Sequence, residues 1–262
     1  MPRPKARGME INMNKLWNKR PVLVAGPCAV ENEEMLDETV KFLVERGVQF
    51  IRAGSFKPRT SPHDFQGMGM EGLTILDRIR KKYNVKIVSE IVDTCHIDTM
   101  KEYVDIFQIG SRNMQNFELL KKIGKTSVPV LLKRGMCSTV NEFISAADYI
   151  LCGGNKNVIL CERGIRTFET AVRNTLDLSC VAIIKKETNL PIIADLSHSL
   201  GRKDIAAKMA KAALACGSDG IMVEVHPNPE EALSDSRQQM NFQEFDQFCE
   251  ELNEYNRSAS KS

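Results

Sequence analysis

"PVLVAGPCAVEN", residues 21–32, decides between two ways of folding this chain. It begins as an apolar strand and turns at Gly26 and Pro27. In a doubly wound open sheet the first strand runs into a glycine-rich phosphate-binding fingerprint. "GPCAVEN" is no such fingerprint. Outward from it, the same strand signature recurs in "QFIRAG" (49–54), "KIVSEI" (86–91), "DIFQIG" (105–110), "VPVLLK" (128–133), "NVILCER" (157–163), "LPIIAD" (190–195) and "GIMVEV" (220–225). These runs are apolar nearly throughout, as strands covered on both faces are. Stretches of helical spacing separate them. "EEMLDETVKFLVERG" stops at Gly47, "STVNEFISAADYILCGG" opens at Ser138 and Thr139, and "KDIAAKMAKAALACG" stops at Gly217. "VDTCHIDTMKEYV" leaves room for a short helix only, and "FQEFDQFCEELNEY" closes the series. Eight strand–helix units predict an α/β protein of one domain, a (β/α)8 TIM barrel over residues 21–255. Residues 1–20 read as a short extension and 256–262 as a frayed tail.

The chain is long enough to bury a core without disulfides or structural metal: 262 residues, 42% hydrophobic and 27% charged. A net charge of +2 supplies no global field for nucleic acid or an acidic membrane surface. No apolar run approaches the ~18–20 residues that span a bilayer. Eight cysteines are scattered without a C-x-x-C pair, and the start lacks the apolar core of a signal peptide. Both point to a reducing, cytoplasmic setting.

Barrel chemistry gathers at the C-terminal ends of the strands. In chain order those ends carry Cys28; Arg52, then Lys57, Arg59 and Thr60; Glu90; Arg112; Lys133 and Arg134; Glu162 and Arg163; Asp195 and His198; and Glu224 and His226, with Asp235 beyond. The cations predict a ligand with several negative charges, because arginine grips phosphate or carboxylate bidentately and lysine acts as a point charge. Cys28, His198, Glu224 and Asp235 differ in kind. They come from the first, seventh and eighth units, and closing a barrel makes the first and last strands neighbours. Sulfur, imidazole and two carboxylates could then meet on one divalent ion, with manganese, iron, zinc, cobalt and cadmium all compatible. Each residue has an ordinary alternative: Cys28 as a buried thiol, His198 as a satisfied polar group, Arg163 as half of a surface ion pair. The coincidence of all of them at matching positions favours a site.

Together, "AGPCAVEN", "IRAGSFKPRTSP", "IGSRNMQN", "LLKRG", "ILCERGIRTFE", "DLSHSLGR" and "MVEVHPNPEEALSD" closely resemble the 3-deoxy-D-arabino-heptulosonate 7-phosphate (DAHP) synthase family in its short type I beta branch. The resemblance covers residues 21 to 253. It implies a metal-dependent transferase that condenses phosphoenolpyruvate with erythrose 4-phosphate and water and releases phosphate, the first step of the shikimate pathway. By the same resemblance, Cys28, His198, Glu224 and Asp235 bind the metal; Arg52, Lys57, Arg112, Lys133 and Arg163 hold phosphoenolpyruvate; and Arg59 and Thr60 take erythrose 4-phosphate. Glu90 helps hold a water, and Lys57 or Lys133 protonates the developing alkoxide. A homotetramer or homodimer is expected, with no built-in feedback domain and with a separate chorismate mutase as a candidate partner.

Rival readings are the octulosonate 8-phosphate synthase branch, whose loop is of K-A-N-R-S type where this chain has "KPRTS"; a Schiff-base aldolase using Lys133; and a non-catalytic barrel. Leu196 stands where the family pattern has proline, and Ser236 and Arg237 where it has glycine and proline.

Overall fold

The computed structural model describes residues 21–59 and 61–259. The expected extension at 1–20, Thr60 and the last three residues of the expected tail lie outside the described residues. Eight parallel strands pair in chain order into a closed barrel: β1 (Val22–Gly26), β2 (Phe50–Arg52), β3 (Lys86–Glu90), β4 (Ile106–Ile109), β5 (Val130–Lys133), β6 (Val158–Glu162), β7 (Ile192–Asp195) and β8 (Gly220–Glu224). Each lies inside a run read as a strand. The closing pair runs from Val22 beside Gly220 to Gly26 beside Glu224. That ladder excludes the open sheet.

The helices are α1 (Glu33–Glu45), α2 (Gly69–Tyr83), α3 (Ile97–Met100), α4 (Phe117–Ile123), α5 (Val140–Cys152), α6 (Leu178–Glu187), α7 (Leu196–Leu200), α8 (Ala206–Ala215) and α9 (Phe242–Ala259). Local chemistry sets their ends. The Asn32 side chain accepts from Met35 N at the start of α1, and Gly47 adopts φ +78° past its end. Thr139 and Glu142 form a reciprocal capping box on α5. The one-turn α7 was not read from sequence, being too short for an apolar period. It forms because Asp195 caps it by accepting from His198 N at 3.0 Å. The last helix runs on to Ala259, past the boundary expected at 255.

Side chains alternate across each strand, and this alternation makes two cores. Val24, Phe50, Val88, Ile106, Leu131, Ile159, Cys161, Ile193 and Met222 fill the barrel interior. Their neighbours Ala25, Ile51, Ile87, Phe107, Leu132, Leu160, Ile192 and Val223 pack outward against the helices. The same period continues to the strand ends. Arg52, Glu90, Gln108, Lys133, Arg163, Asp195 and Glu224 each lie two residues beyond an interior residue, so they belong to the mouth of the barrel. Glu162 lies one residue beyond Cys161 and faces the other way. It is fully buried against Arg134, whose Nη1 donates to Glu162 Oε2 at 2.9 Å and to Asp177 Oδ2 at 2.7 Å. Arg163 and Lys133 of the same two units serve the barrel mouth, whereas Glu162 and Arg134, grouped with the strand-end residues in the sequence, therefore do not. They join the barrel wall to the start of α6.

Candidate active site

Two glycines make the site sterically possible. Gly26 has φ +146°, and a Cβ there would sit 2.2 Å from Arg52 O. Only glycine lets β1 pass β2 this closely and deliver Cys28. A Cβ on Gly110 would sit 2.0 Å from Glu90 Oε1. Glycine there leaves the space that the Glu90 carboxylate occupies.

Cys28, His198, Glu224 and Asp235 converge, each offering one donor atom, with all four donors within 4.8 Å of one another. His198 Nε2 lies 3.5 Å from Glu224 Oε1 and 3.6 Å from Asp235 Oδ2, and Cys28 Sγ lies 3.4 Å from Asp235 Oδ2. Behind the ring, His198 Nδ1 is 2.9 Å from Asp195 Oδ2, off the line of a well-formed hydrogen bond. Two cations border the cluster. Arg52 Nη1 donates to Glu224 Oε1 at 2.6 Å and to Pro27 O at 2.8 Å; Lys57 Nζ is 3.0 Å from Cys28 Sγ.

This crowding governs titration. Burial, reinforced by the charge of Glu224, pushes the Cys28 thiol up to about 11. Burial also lowers His198, against the pull of Asp195 and Glu224. Burial opposes ionisation of Asp235, yet His198, Arg173 and Lys57 hold it well below the usual carboxylate range. Lys57 is raised: burial works against its charge, but Cys28, Glu90 and Glu224 outweigh it. The donors fit one ion, since ligands about 2.0–2.3 Å from a common metal lie within this mutual spacing. The mixed sulfur, nitrogen and oxygen set suits a borderline divalent cation.

Above the cluster opens a cleft of about 190 Å³ lined by Lys57, Arg59, Arg112, Lys133, Arg163 and Arg173, with Glu90, Gln108, His198 and Asp235 also on its walls. Lys133 Nζ donates to Asp195 Oδ2 at 2.5 Å. Arg163 is buried, and its hydrogen bond to Gly164 O is long at 3.5 Å. Among the described residues no carboxylate oxygen lies within 4 Å of its guanidinium. Burial accordingly lowers its basicity. A buried cation so weakly compensated is costly until an anion joins it. Arg59 pairs with Asp64 at 3.4 Å within its own loop, and Lys57 N closes that loop on Gln66 O at 2.9 Å.

Of the residues singled out from sequence, Lys57, Glu90, Arg59, Arg112, Lys133 and Arg163 line one cleft and the four donors meet at its base. Arg52 stands behind Glu224 rather than on the cleft wall, with its Nε lacking a hydrogen-bond partner among the described residues. His226 does not join the donors; its Nε2 faces Glu31 Oε2 at 3.5 Å. Lys133 is engaged in an ion pair, which opposes its reading as a Schiff-base nucleophile. Sequence reasoning gave no role to Asp195, Arg173 or Gln238. Asp195 stands three residues before His198, the spacing of a helix cap, which could have flagged it. Arg173 lies in a loop and Gln238 in a single 3-10 turn, and neither carries such a signal.

Comparison with known proteins agrees with this architecture. The family model described as "DAHP synthetase I family" matches residues 12–261. A phospho-2-dehydro-3-deoxyheptonate aldolase of Thermotoga maritima is 51% identical over 238 residues, covering 91% of this chain and 70% of the relative. The crystal structure of the Thermotoga maritima enzyme superposes with a TM-score of 0.88 at 50% identity, covering 91% of this chain and 70% of that one. A 2-dehydro-3-deoxyphosphooctonate aldolase of Francisella tularensis subsp. holarctica is 30% identical over 247 residues, 87% of this chain and 88% of the relative. Matched over nearly its whole length, this chain belongs to the DAHP synthetase I family.

Proposed function

We infer that the barrel mouth condenses phosphoenolpyruvate with erythrose 4-phosphate and water, forming 3-deoxy-D-arabino-heptulosonate 7-phosphate and phosphate. The observation that carries the assignment to this cleft is the set of inward cations, above all the weakly compensated Arg163, directly over a four-donor cluster. Higher identity to the heptonate enzyme than to the octonate enzyme supports erythrose 4-phosphate over arabinose 5-phosphate as acceptor.

Arg112, Lys133 and Arg163 bind the phosphate and carboxylate of phosphoenolpyruvate, with Arg52 reinforcing from behind Glu224. Arg59 exchanges Asp64 for the phosphate of erythrose 4-phosphate, and Thr60 shares in binding that phosphate. Cys28, His198, Glu224 and Asp235 hold one divalent ion, whose contribution when bound is Lewis-acid polarisation of a carbonyl oxygen. As the enol carbon attacks the aldehyde, negative charge grows on the aldehyde oxygen. Lys57, charged and 3.0 Å from Cys28 Sγ, is better placed than Lys133 to give that oxygen its proton, because Lys133 is held by Asp195. Positive charge grows on the neighbouring carbon. Glu90, facing the same cleft, orients the water that captures it. Assembly as a homotetramer or homodimer, a cytoplasmic setting supported by eight free cysteines, and docking of a separate chorismate mutase complete the proposal.

The test follows phosphoenolpyruvate by its ultraviolet absorbance in metal-stripped protein, then with Mn2+, using erythrose 4-phosphate and arabinose 5-phosphate in parallel. Metal-dependent loss with erythrose 4-phosphate alone is expected. Preference for arabinose 5-phosphate, or no loss with either, would overturn the assignment.

A further inference from the structure

Three of the four donors in the cluster lie in, or two residues past, a barrel strand or an α-helix. Cys28 follows β1, Glu224 ends β8, and His198 lies in α7. Asp235 comes from the loop between β8 and α9, with φ +51°, a backbone state uncommon outside glycine. Something else must hold its carboxylate. Arg173 Nη1 lies 3.3 Å from Asp235 Oδ1, which leaves Oδ2 turned toward Cys28 Sγ and His198 Nε2. The same Nη1 donates to Gln238 Oε1. Gln238, itself buried, donates from Nε2 to Glu224 Oε2 at 2.5 Å, while Glu224 Oε1, which also accepts from Arg52 Nη1, faces His198. One cation thus occupies the outward oxygen of one carboxylate directly and that of the other through an amide.

The placement of Arg173 is tied to the third donor as well. Arg173 N donates to Leu200 O at 2.8 Å and Asn174 N to Ser199 O at 2.7 Å, so the loop carrying Arg173 is laced to α7, where His198 sits. A Cβ on Gly201, at φ +63°, would come within 2.8 Å of Arg173 Cβ, so glycine permits this approach.

We propose that Arg173 is a positioning residue that, with Gln238, sets the orientation of the Asp235 and Glu224 carboxylates for metal binding. It acts on the metal through two of its ligands, and the inference rests on the metal centre proposed above. Its one nitrogen meets both partners, so a lysine ammonium can replace it in part, whereas methionine cannot.

The experiment measures Mn2+ binding to metal-stripped protein by electron paramagnetic resonance for wild type, R173M, R173K, Q238L and H198A, with circular dichroism confirming the fold. R173M should weaken Mn2+ binding by roughly 10- to 100-fold, the usual effect of removing an outer-shell partner. R173K should recover most of that affinity. Q238L should weaken binding in the same direction, and it decides the matter if R173M does not fold. Wild-type affinity in folded R173M or in Q238L would overturn the proposal, as would unchanged affinity with a raised KM for either substrate. Failure of the wild-type protein to bind Mn2+, or equal binding by H198A, would remove the metal centre itself and this inference with it.

Discussion

Asp195 joins the two halves of the site, accepting from Lys133 on the anion side while standing against His198 on the metal side. Burial opposes its ionisation, but His198 and Lys133 hold its carboxyl well below the ordinary value. Its folded form therefore binds fewer protons than the unfolded chain in acid. The stabilisation is fully present above about pH 4, the unfolded value, and is lost as pH falls toward the folded one. D195N should be less stable than wild type at neutral pH and should show a shallower loss of urea midpoint between neutral pH and pH 3. An equal slope would show that the acid sensitivity lies elsewhere. Gly110 supports a second expectation. G110A places a methyl group in the space held by Glu90 Oε1. Overpacking of this kind costs about 1–3 kcal/mol, and the displaced carboxylate should lower kcat more than it raises KM for phosphoenolpyruvate. Steady-state kinetics beside urea unfolding separates the two effects.

At the scale of elements, the chain uses charge both to build and to react, and strand alternation sorts one use from the other. Arg134 binds Glu162 on the outward face of β6 and Asp177 at the N-terminus of α6, where Asp177 also accepts from Cys180 N at 3.2 Å. This knot fastens a helix to the barrel wall. R134M would leave Glu162 buried without its cation, at a cost of about 3–5 kcal/mol. The denaturant midpoint should fall accordingly, while Mn2+ affinity of the folded protein stays at the wild-type level. A loss of metal affinity equal to that of H198A would mean that Arg134 belongs to the site after all.

For the whole molecule, closure of β1 on β8 brings residues nearly two hundred positions apart into one metal cluster, so ligation and folding are linked. An ion that binds only the folded barrel stabilises it by about 2.7 kcal/mol at a hundred times its dissociation constant. For a domain of this size that corresponds to a rise in Tm of roughly 5–10 °C. Adding Mn2+ to metal-stripped protein should produce this rise, and C28A or H198A should abolish it. A Tm indifferent to Mn2+ in the wild type would refute the linkage.

Much of this protein was determined by short-range pattern alone. Runs such as "VPVLLK" and "GIMVEV" read as buried parallel strands because apolar, β-branched stretches must be covered on both faces. Strand order and the barrel rule then placed Cys28, His198, Glu224 and Asp235 near one another without coordinates. Three things waited for the tertiary structure. Strand phase at the tips turned Glu162 and Arg134 outward and Arg163 inward, because a single residue of register reverses the face. The αL turn at Asp235 is open to an aspartate but not demanded by one, so the sequence does not announce it. Finally, Arg173 and Gln238 acquire their roles only by meeting partners distant in sequence, and neither a loop nor a single 3-10 turn carries a period from which such meetings can be read.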